Sequence, residues 1–178
     1  QYIMTTLEEL GLLKMDFLGL RTLTVIQDTI DLVKANKGVQ VEFDNDMNDP
    51  KVYKLWQDGN SVGIFQFESQ GMTNFMKELK PDCLEDIIAG VSLYRPGPMD
   101  QIPRYIANKK DPEHAVYTHP ALKPILKVTY GCMVYQEQVM QIVRDLAGYS
   151  LGRADLVRRA MGKKKLDVMA REREIFIN

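Results

Sequence analysis

The stretch Thr22-Leu23-Thr24-Val25-Ile26-Gln27-Asp28-Thr29-Ile30-Asp31-Leu32-Val33-Lys34-Ala35-Asn36-Lys37-Gly38 sets the fold class. Val25, Ile26, Thr29, Ile30 and Val33 recur at i, i+1, i+4, i+5 and i+8, the period of one helix face, and Gly38 supplies a residue that closes a helix. A helix is expected over about Thr22 to Asn36. The same signals recur downstream. Asp44-Asn45-Asp46-Met47-Asn48-Asp49-Pro50 reads as a loop, with Asp49 as N-cap and Pro50 opening a short helix that reaches Trp56. Asp82 and Glu85 have capping-box spacing and open the apolar run Leu84 to Tyr94, a buried helix halted by Arg95-Pro96-Gly97-Pro98. That stiff turn presents Tyr94 and Arg95 at the surface. Further helices are expected over Gln101 to Lys110, Pro120 to Leu126, Val134 to Ala147, Arg153 to Met161, and from about Leu166. Asn60 to Phe67, rich in β-branched and aromatic residues, suits a strand or a buried loop, and strand is the expectation. No repeat, low-complexity tract or flexible linker interrupts the pattern, so the chain reads as a mainly α, multi-helix unit.

Composition narrows the function classes. The 178 residues are 45% hydrophobic, enough for one core and below the length at which two full domains are expected. There is no run of about 18 apolar residues, no basic-then-apolar leader, and only Cys83 and Cys132, which argues against a membrane span, a secretory signal and a disulfide scaffold. A cytoplasmic, reducing setting fits. The chain opens on Gln1 and stops inside a charged helical pattern, as a fragment of something longer does.

The net charge of -1 conceals an asymmetry: residues 1–100 carry 9 Lys+Arg against 16 Asp+Glu, and residues 101–178 carry 14 against 8. Much of the basic excess lies between Leu151 and Arg173, where eight basic side chains face three acidic ones. Such a patch suits a polyanion, although a solvated basic helix has the same composition.

The His and Cys residues form no zinc-ligand spacing, and neither a P-loop nor a dinucleotide fingerprint occurs, so nucleotide binding has to use side chains. Two segments do carry chemistry. In Gly11-Leu12-Leu13-Lys14-Met15-Asp16-Phe17-Leu18-Gly19-Leu20, Lys14 and Asp16 alternate with apolar residues, and on a strand they share one face, either as the edge of a metal and phosphate site or as a surface ion pair. In Ala154-Asp155-Leu156-Val157-Arg158-Arg159-Ala160-Met161-Gly162-Lys163-Lys164-Lys165, two arginines on a helix precede three lysines. Guanidinium forks bind phosphates bidentately and lysines act as point charges, so Arg158, Arg159 and Lys163 are candidate phosphate ligands.

Together the segments resemble the alpha subunit family of bacterial DNA polymerase III, the C-family replicative polymerases. The resemblance covers essentially the whole chain. It rests on Lys14-Met15-Asp16-Phe17-Leu18-Gly19-Leu20, Gly63-Ile64-Phe65-Gln66-Phe67-Glu68-Ser69-Gln70-Gly71-Met72, Leu93-Tyr94-Arg95-Pro96-Gly97-Pro98-Met99, Thr129-Tyr130-Gly131, Tyr135-Gln136-Glu137-Gln138-Val139-Met140, and Ala154-Asp155 through Arg158-Arg159-Ala160-Met161-Gly162-Lys163-Lys164-Lys165. It implies that residues 1–20 form the C-terminal edge of a palm domain, ending in a short β segment or edge strand, and that residues 21–178 form a helical fingers domain truncated at its C-terminus. Asp16 is then the third catalytic aspartate and a metal ligand. In the family, three palm carboxylates hold two Mg ions for in-line phosphoryl transfer. Lys14, Arg158, Arg159 and Lys163 would meet the phosphates of a deoxynucleoside triphosphate. Tyr94, Arg95, Tyr135, Gln136, Gln138, Lys164 and Lys165 are possible DNA or nucleotide contacts.

The implied partners are the deoxynucleotide, primer-template DNA and the palm of the parent chain. A sliding clamp and clamp loader are expected to engage only regions outside these residues, and no membrane is expected. The implied enzyme is a DNA-directed DNA polymerase, a nucleotidyltransferase, with the fragment alone inactive. The alternative is a helical protein-interaction or non-specific nucleic-acid-binding module with no catalytic role.

Overall fold

The computed structural model describes residues 2–13, 15–43 and 46–177, with ten α-helices and no strand among them. The chain divides into two units, Gln1–Asn45 and Asp46–Asn178. In the first unit, α1 spans Met4–Glu9 and α2 spans Arg21–Lys37, closed by Gly38 in the left-handed conformation with φ 66°. Helix α1 carries no cap side chain, and the sequence reading missed it. Helix α2 matches the expected span, yet its stripe forms no core: Ile30 and Val33 are half-buried, and Val25 and Ile26 are exposed.

The β segment expected near the N-terminus is corrected. Residues 12–13 and 15–20 have no strand assignment. Alternation of polar and apolar residues makes a strand only where a neighbour supplies the ladder hydrogen bonds, and no described residue of this unit does so.

The second unit begins with α3, Pro50–Asp58, whose Asp49 carboxylate accepts Lys51 N–H at 2.8 Å. Helix α4, Gln70–Leu79, starts at Ser69, whose hydroxyl accepts Met72 N–H at 3.3 Å. Between them, the strand expected over Asn60 to Phe67 is also corrected, because the segment folds into successive turns. Ile64 N–H donates to Ser61 O at 3.1 Å and Phe67 N–H to Ile64 O at 3.0 Å, while Gly63 and Gln66 take φ of 82° and 69°. Buried Ser61 donates its hydroxyl to Phe67 O at 2.7 Å, which seals the knot.

Helix α5, Leu84–Leu93, occupies the predicted apolar run, but its start differs from the expected capping box. Cys83 is the N-cap and its side chain makes no cap bond; instead Asp86 accepts Asp82 N–H at 3.0 Å. Asp86 is 1% exposed and is held by Lys109 Nζ at 2.9 Å, so the buried ion pair decides which carboxylate turns back. Helix α6 covers Ile102–Lys110, after a 3₁₀ turn over Pro98–Gln101. These helices enclose the main core, built on Trp56, Phe75, Met76, Leu79, Leu93 and Tyr105.

The rest is the short helix α7, Lys123–Leu126, followed by α8 Gln136–Ala147, α9 Leu151–Gly162 and α10 Leu166–Ile177. A second, smaller core of Val143, Tyr149, Ala154 and Val157 joins the last three. No helix is long and apolar enough to cross a membrane among the described residues.

Candidate phosphate-binding site

The site is organised by the register of α9. Ala154, Val157 and Ala160 are buried at spacings of three, so Asp155, Arg158 and Arg159 fall on the flanks of the same helix. Ser150 caps α9 by accepting Arg153 N–H at 3.3 Å. Arg153 stacks over the Tyr149 ring at 4.4 Å and pairs with Glu172 of α10 at 3.0 Å. Tyr149 donates its hydroxyl to Glu172 O at 3.1 Å, which adds a second tie between α10 and the start of α9.

One carboxylate takes both neighbouring arginines. Asp155 Oδ1 accepts from Arg158 Nε at 2.8 Å and Nη2 at 2.6 Å. Its Oδ2 accepts from Arg159 Nε at 2.6 Å and also lies 2.6 Å from Arg159 Nη2. Hydrogen bonds from Arg158 and then Arg159 hold the Asp155 carboxyl below the usual carboxylate range. Arg158 Nη1 reaches across to α8 and donates to Gln136 Oε1 at 2.9 Å. Arg158 is thereby a strut between two helices, whereas Arg159, with 66% of its side chain exposed, projects outward.

Arg159 and Asp155 line an open cleft of about 470 Å³ that Lys163 and Lys165 also border. The lysines follow the end of α9, where Lys163 N–H donates to Arg159 O and Lys165 N–H to Ala160 O, each at 2.9 Å. A helix C-terminus favours cations. The cleft accordingly collects three cationic side chains around one already neutralised carboxylate, an arrangement suited to a compact polyanion. Lys164 is exposed in the same turn.

The remaining candidates lie elsewhere. Tyr94 is half-buried, with its ring stacked on Phe75 at 6.0 Å between centroids and 14° between planes, and Arg95 beside it is exposed. Tyr135 is half-buried against the main core. Gln138 is turned inward at 5% exposure. Its Oε1 accepts Val134 N–H at 2.8 Å and Tyr135 N–H at 2.9 Å, and its Nε2 donates to Thr129 Oγ1 at 2.7 Å. These bonds commit both ends of the Gln138 amide to the fold. Asp16 is exposed in a stretch of the first unit that is neither helix nor strand, and Lys14 lies outside the described residues.

Sequence reasoning gave Asp155 no role, although its spacing of three and four from Arg158 and Arg159 is that of helical ion pairs. Asp82, Cys83 and Asp86 also converge, with ligand atoms within 4.8 Å of one another. Lys109 Nζ occupies that cluster, 2.9 Å from Asp86 and 3.5 Å from Asp82, and also donates to Lys80 O at 2.9 Å.

Residues 22–178 match the family model described as the bacterial DNA polymerase III alpha subunit finger domain. The chain is similar to DNA polymerase III subunit alpha of Thermus aquaticus, at 54% identity over 99% of this chain and 15% of that protein. It is 51% identical to the protein of the same name from Aquifex aeolicus, over 99% of this chain and 16% of the relative. For Staphylococcus aureus (strain COL) the identity is 49%, over 99% and 17% respectively. The chain thus spans 15 to 17% of the length of these curated relatives.

Proposed function

The chain belongs to the bacterial DNA polymerase III alpha subunit finger domain family, and from that premise we propose that it serves a replicative DNA polymerase by gripping the triphosphate of the incoming deoxynucleotide. The observation that carries the reading is the convergence of Arg159, Lys163 and Lys165 on one cleft, with Arg158 braced beside it on Asp155 and Gln136. Guanidiniums neutralise charge that accumulates on transferring phosphates, and they do so best when already in place. In this reading residues 1–20 are the edge of the palm and residues 21–178 the fingers, and Lys14 adds a further phosphate contact.

Asp16 is the metal-binding aspartate of the proposal. A single carboxylate does not make a magnesium site, since the hard ion takes one or two carboxylates together with substrate phosphates in octahedral geometry. Magnesium supplies charge neutralisation and activation of the primer hydroxyl when the parent chain contributes the other carboxylates. The isolated chain is therefore catalytically silent, and its own contribution is binding and orientation.

The test is nucleotide incorporation by the full-length parent polymerase. Arg159→Ala and Lys163→Ala should raise KM for dATP while the Kd for primer-template stays unchanged. The opposite pattern, a weakened primer-template Kd with a steep salt slope and an unaltered KM, would assign the cleft to DNA backbone, the second reading its basic lining supports. Unchanged values of both would leave the helical interaction module as the better description.

A further inference from the structure

We propose that Asp155 is a positioning residue for nucleotide phosphates, acting through Arg158 and Arg159; the inference rests on the phosphate-gripping role given to those arginines above. Consecutive residues on an α-helix point roughly 100° apart, so adjacent arginines do not converge by helix geometry alone. Their like charges also drive them apart. Asp155 overcomes both effects by offering one oxygen to each guanidinium, with all four N···O distances between 2.6 and 2.8 Å.

The edge each arginine uses matters. Both present the Nε and Nη2 edge to the carboxylate. Gln136 takes one further hydrogen from Arg158 Nη1. A guanidinium has more N–H donors than these contacts consume, so the Nη groups of both arginines keep hydrogens for a second acceptor. A phosphate can therefore be bound without releasing Asp155. The carboxylate and Arg159 line the same cleft as Lys163 and Lys165, so the ordered Arg159 faces the space a phosphate would fill, with Arg158 fixed beside it on the same carboxylate. Ordering long side chains before the ligand arrives removes that cost from the binding step.

The experiment is single-nucleotide incorporation of dATP on primer-template by the full-length parent polymerase, comparing Asp155→Asn, Asp155→Glu, Arg158→Ala/Arg159→Ala, and the triple variant. Asp155→Asn keeps the side-chain shape but puts an amide donor against one guanidinium, and we expect KM for dATP to rise about tenfold. The primer-template Kd should stay unchanged, and Asp155→Glu should recover part of the loss. Adding Asp155→Asn to the double arginine variant should cost nothing more, because Asp155 works through those side chains. A further loss in that background would make Asp155 merely structural and overturn the proposal. A fall in KM for Asp155→Asn would overturn it by showing the carboxylate competing with the nucleotide. An unchanged KM for Asp155→Asn, with a raised KM for the arginine variant, would overturn it while leaving the grip intact. An arginine variant with wild-type KM would remove the grip itself and, with it, this inference.

Discussion

Gly71, at the second position of α4, is where the fold presses closest on a candidate functional side chain. A Cβ built there would lie 1.9 Å from Tyr94 Oη and 3.1 Å from Cζ. Ordinary contact begins at 3.4 Å, so the hydroxyl end of Tyr94 has to retreat by about 1.5 Å. The ring is stacked on Phe75, which restricts the retreat. Two effects oppose one another in Gly71→Ala. Replacing a helical glycine by alanine favours the helix by up to ~1 kcal/mol, while overpacking a filled site costs ~1–3 kcal/mol. The second prevails, for a net loss of about 1–2 kcal/mol, or a fall in Tm of roughly 2–8 °C for a chain of this length. Calorimetry of wild type, Gly71→Ala, Tyr94→Phe and the double variant measures it. Tyr94→Phe removes the Oη and leaves only the milder Cζ contact, so most of the penalty should vanish in that background. A Gly71→Ala protein that melts at or above wild type, or an equal penalty with Phe at 94, would refute the clash.

Three further outcomes follow from buried and charged groups. Asp86→Asn leaves Lys109, 12% exposed, beside a neutral amide, and should lower stability by about 3–5 kcal/mol in urea titrations; pairing Asp86→Leu with Lys109→Met should restore much of it. The Asp155 carboxyl is depressed by its arginines, so its folded pKa lies below its unfolded one. Its contribution is present above the unfolded value of about 3.9 and is lost as pH falls through the folded value; a carboxyl-carbon NMR titration giving Asp155 an ordinary or raised pKa would contradict the clamp. Burial pushes the Cys83 thiol up to about 11, and Cys132 is 0% exposed, so both should react far more slowly with a disulfide reagent at pH 8 than after unfolding.

Local chemistry explains which elements the sequence reveals. Asp49 with Pro50, the stripe in α2 and the Pro-Gly-Pro stop after α5 all act within a few residues, and those boundaries are readable from spacing. The cap of α5 is different. Asp86 displaces the expected capping box because its partner, Lys109, lies on another helix. The turns over Asn60 to Phe67 mislead for a related reason: β-branched and aromatic residues mark a half-buried surface as much as strand pairing, and Phe67 is buried without any ladder. In the site, the residue types of Arg158, Arg159 and Lys163 are legible. The partnership of Arg158 with Gln136 is a tertiary contact across 22 residues, with no local pattern to announce it.

Gln136 and Gln138, two residues apart, allow stability to be separated from the proposed phosphate grip. Gln138 faces inward and fixes where α8 begins, by accepting from Val134 and Tyr135 N–H and donating to Thr129. Gln136, the first residue of α8, is exposed and anchors Arg158 of α9. Among the described residues, the core shared by α8, α9 and α10 is built on four buried residues. Polar contacts therefore carry much of the placement of Arg158 relative to the main core. Gln138→Leu strands two main-chain N–H groups, while the Thr129 hydroxyl still donates to Cys132 O at 2.6 Å, and should cost about 2–6 kcal/mol at roughly 1–3 kcal/mol for each stranded group. Gln136→Ala changes an exposed side chain, and should shift stability by no more than about 0.5 kcal/mol. It should nevertheless loosen one of the two residues bracing Arg158, and raise KM for the nucleotide by a few-fold, with Asp155 still holding the other edge. Urea unfolding and nucleotide KM, measured on both variants, decide the matter. A stability loss for Gln136→Ala as large as that for Gln138→Leu would mean that Gln136 is part of the scaffold, and that the link from the main core through α8 to Arg158 has been drawn at the wrong residue.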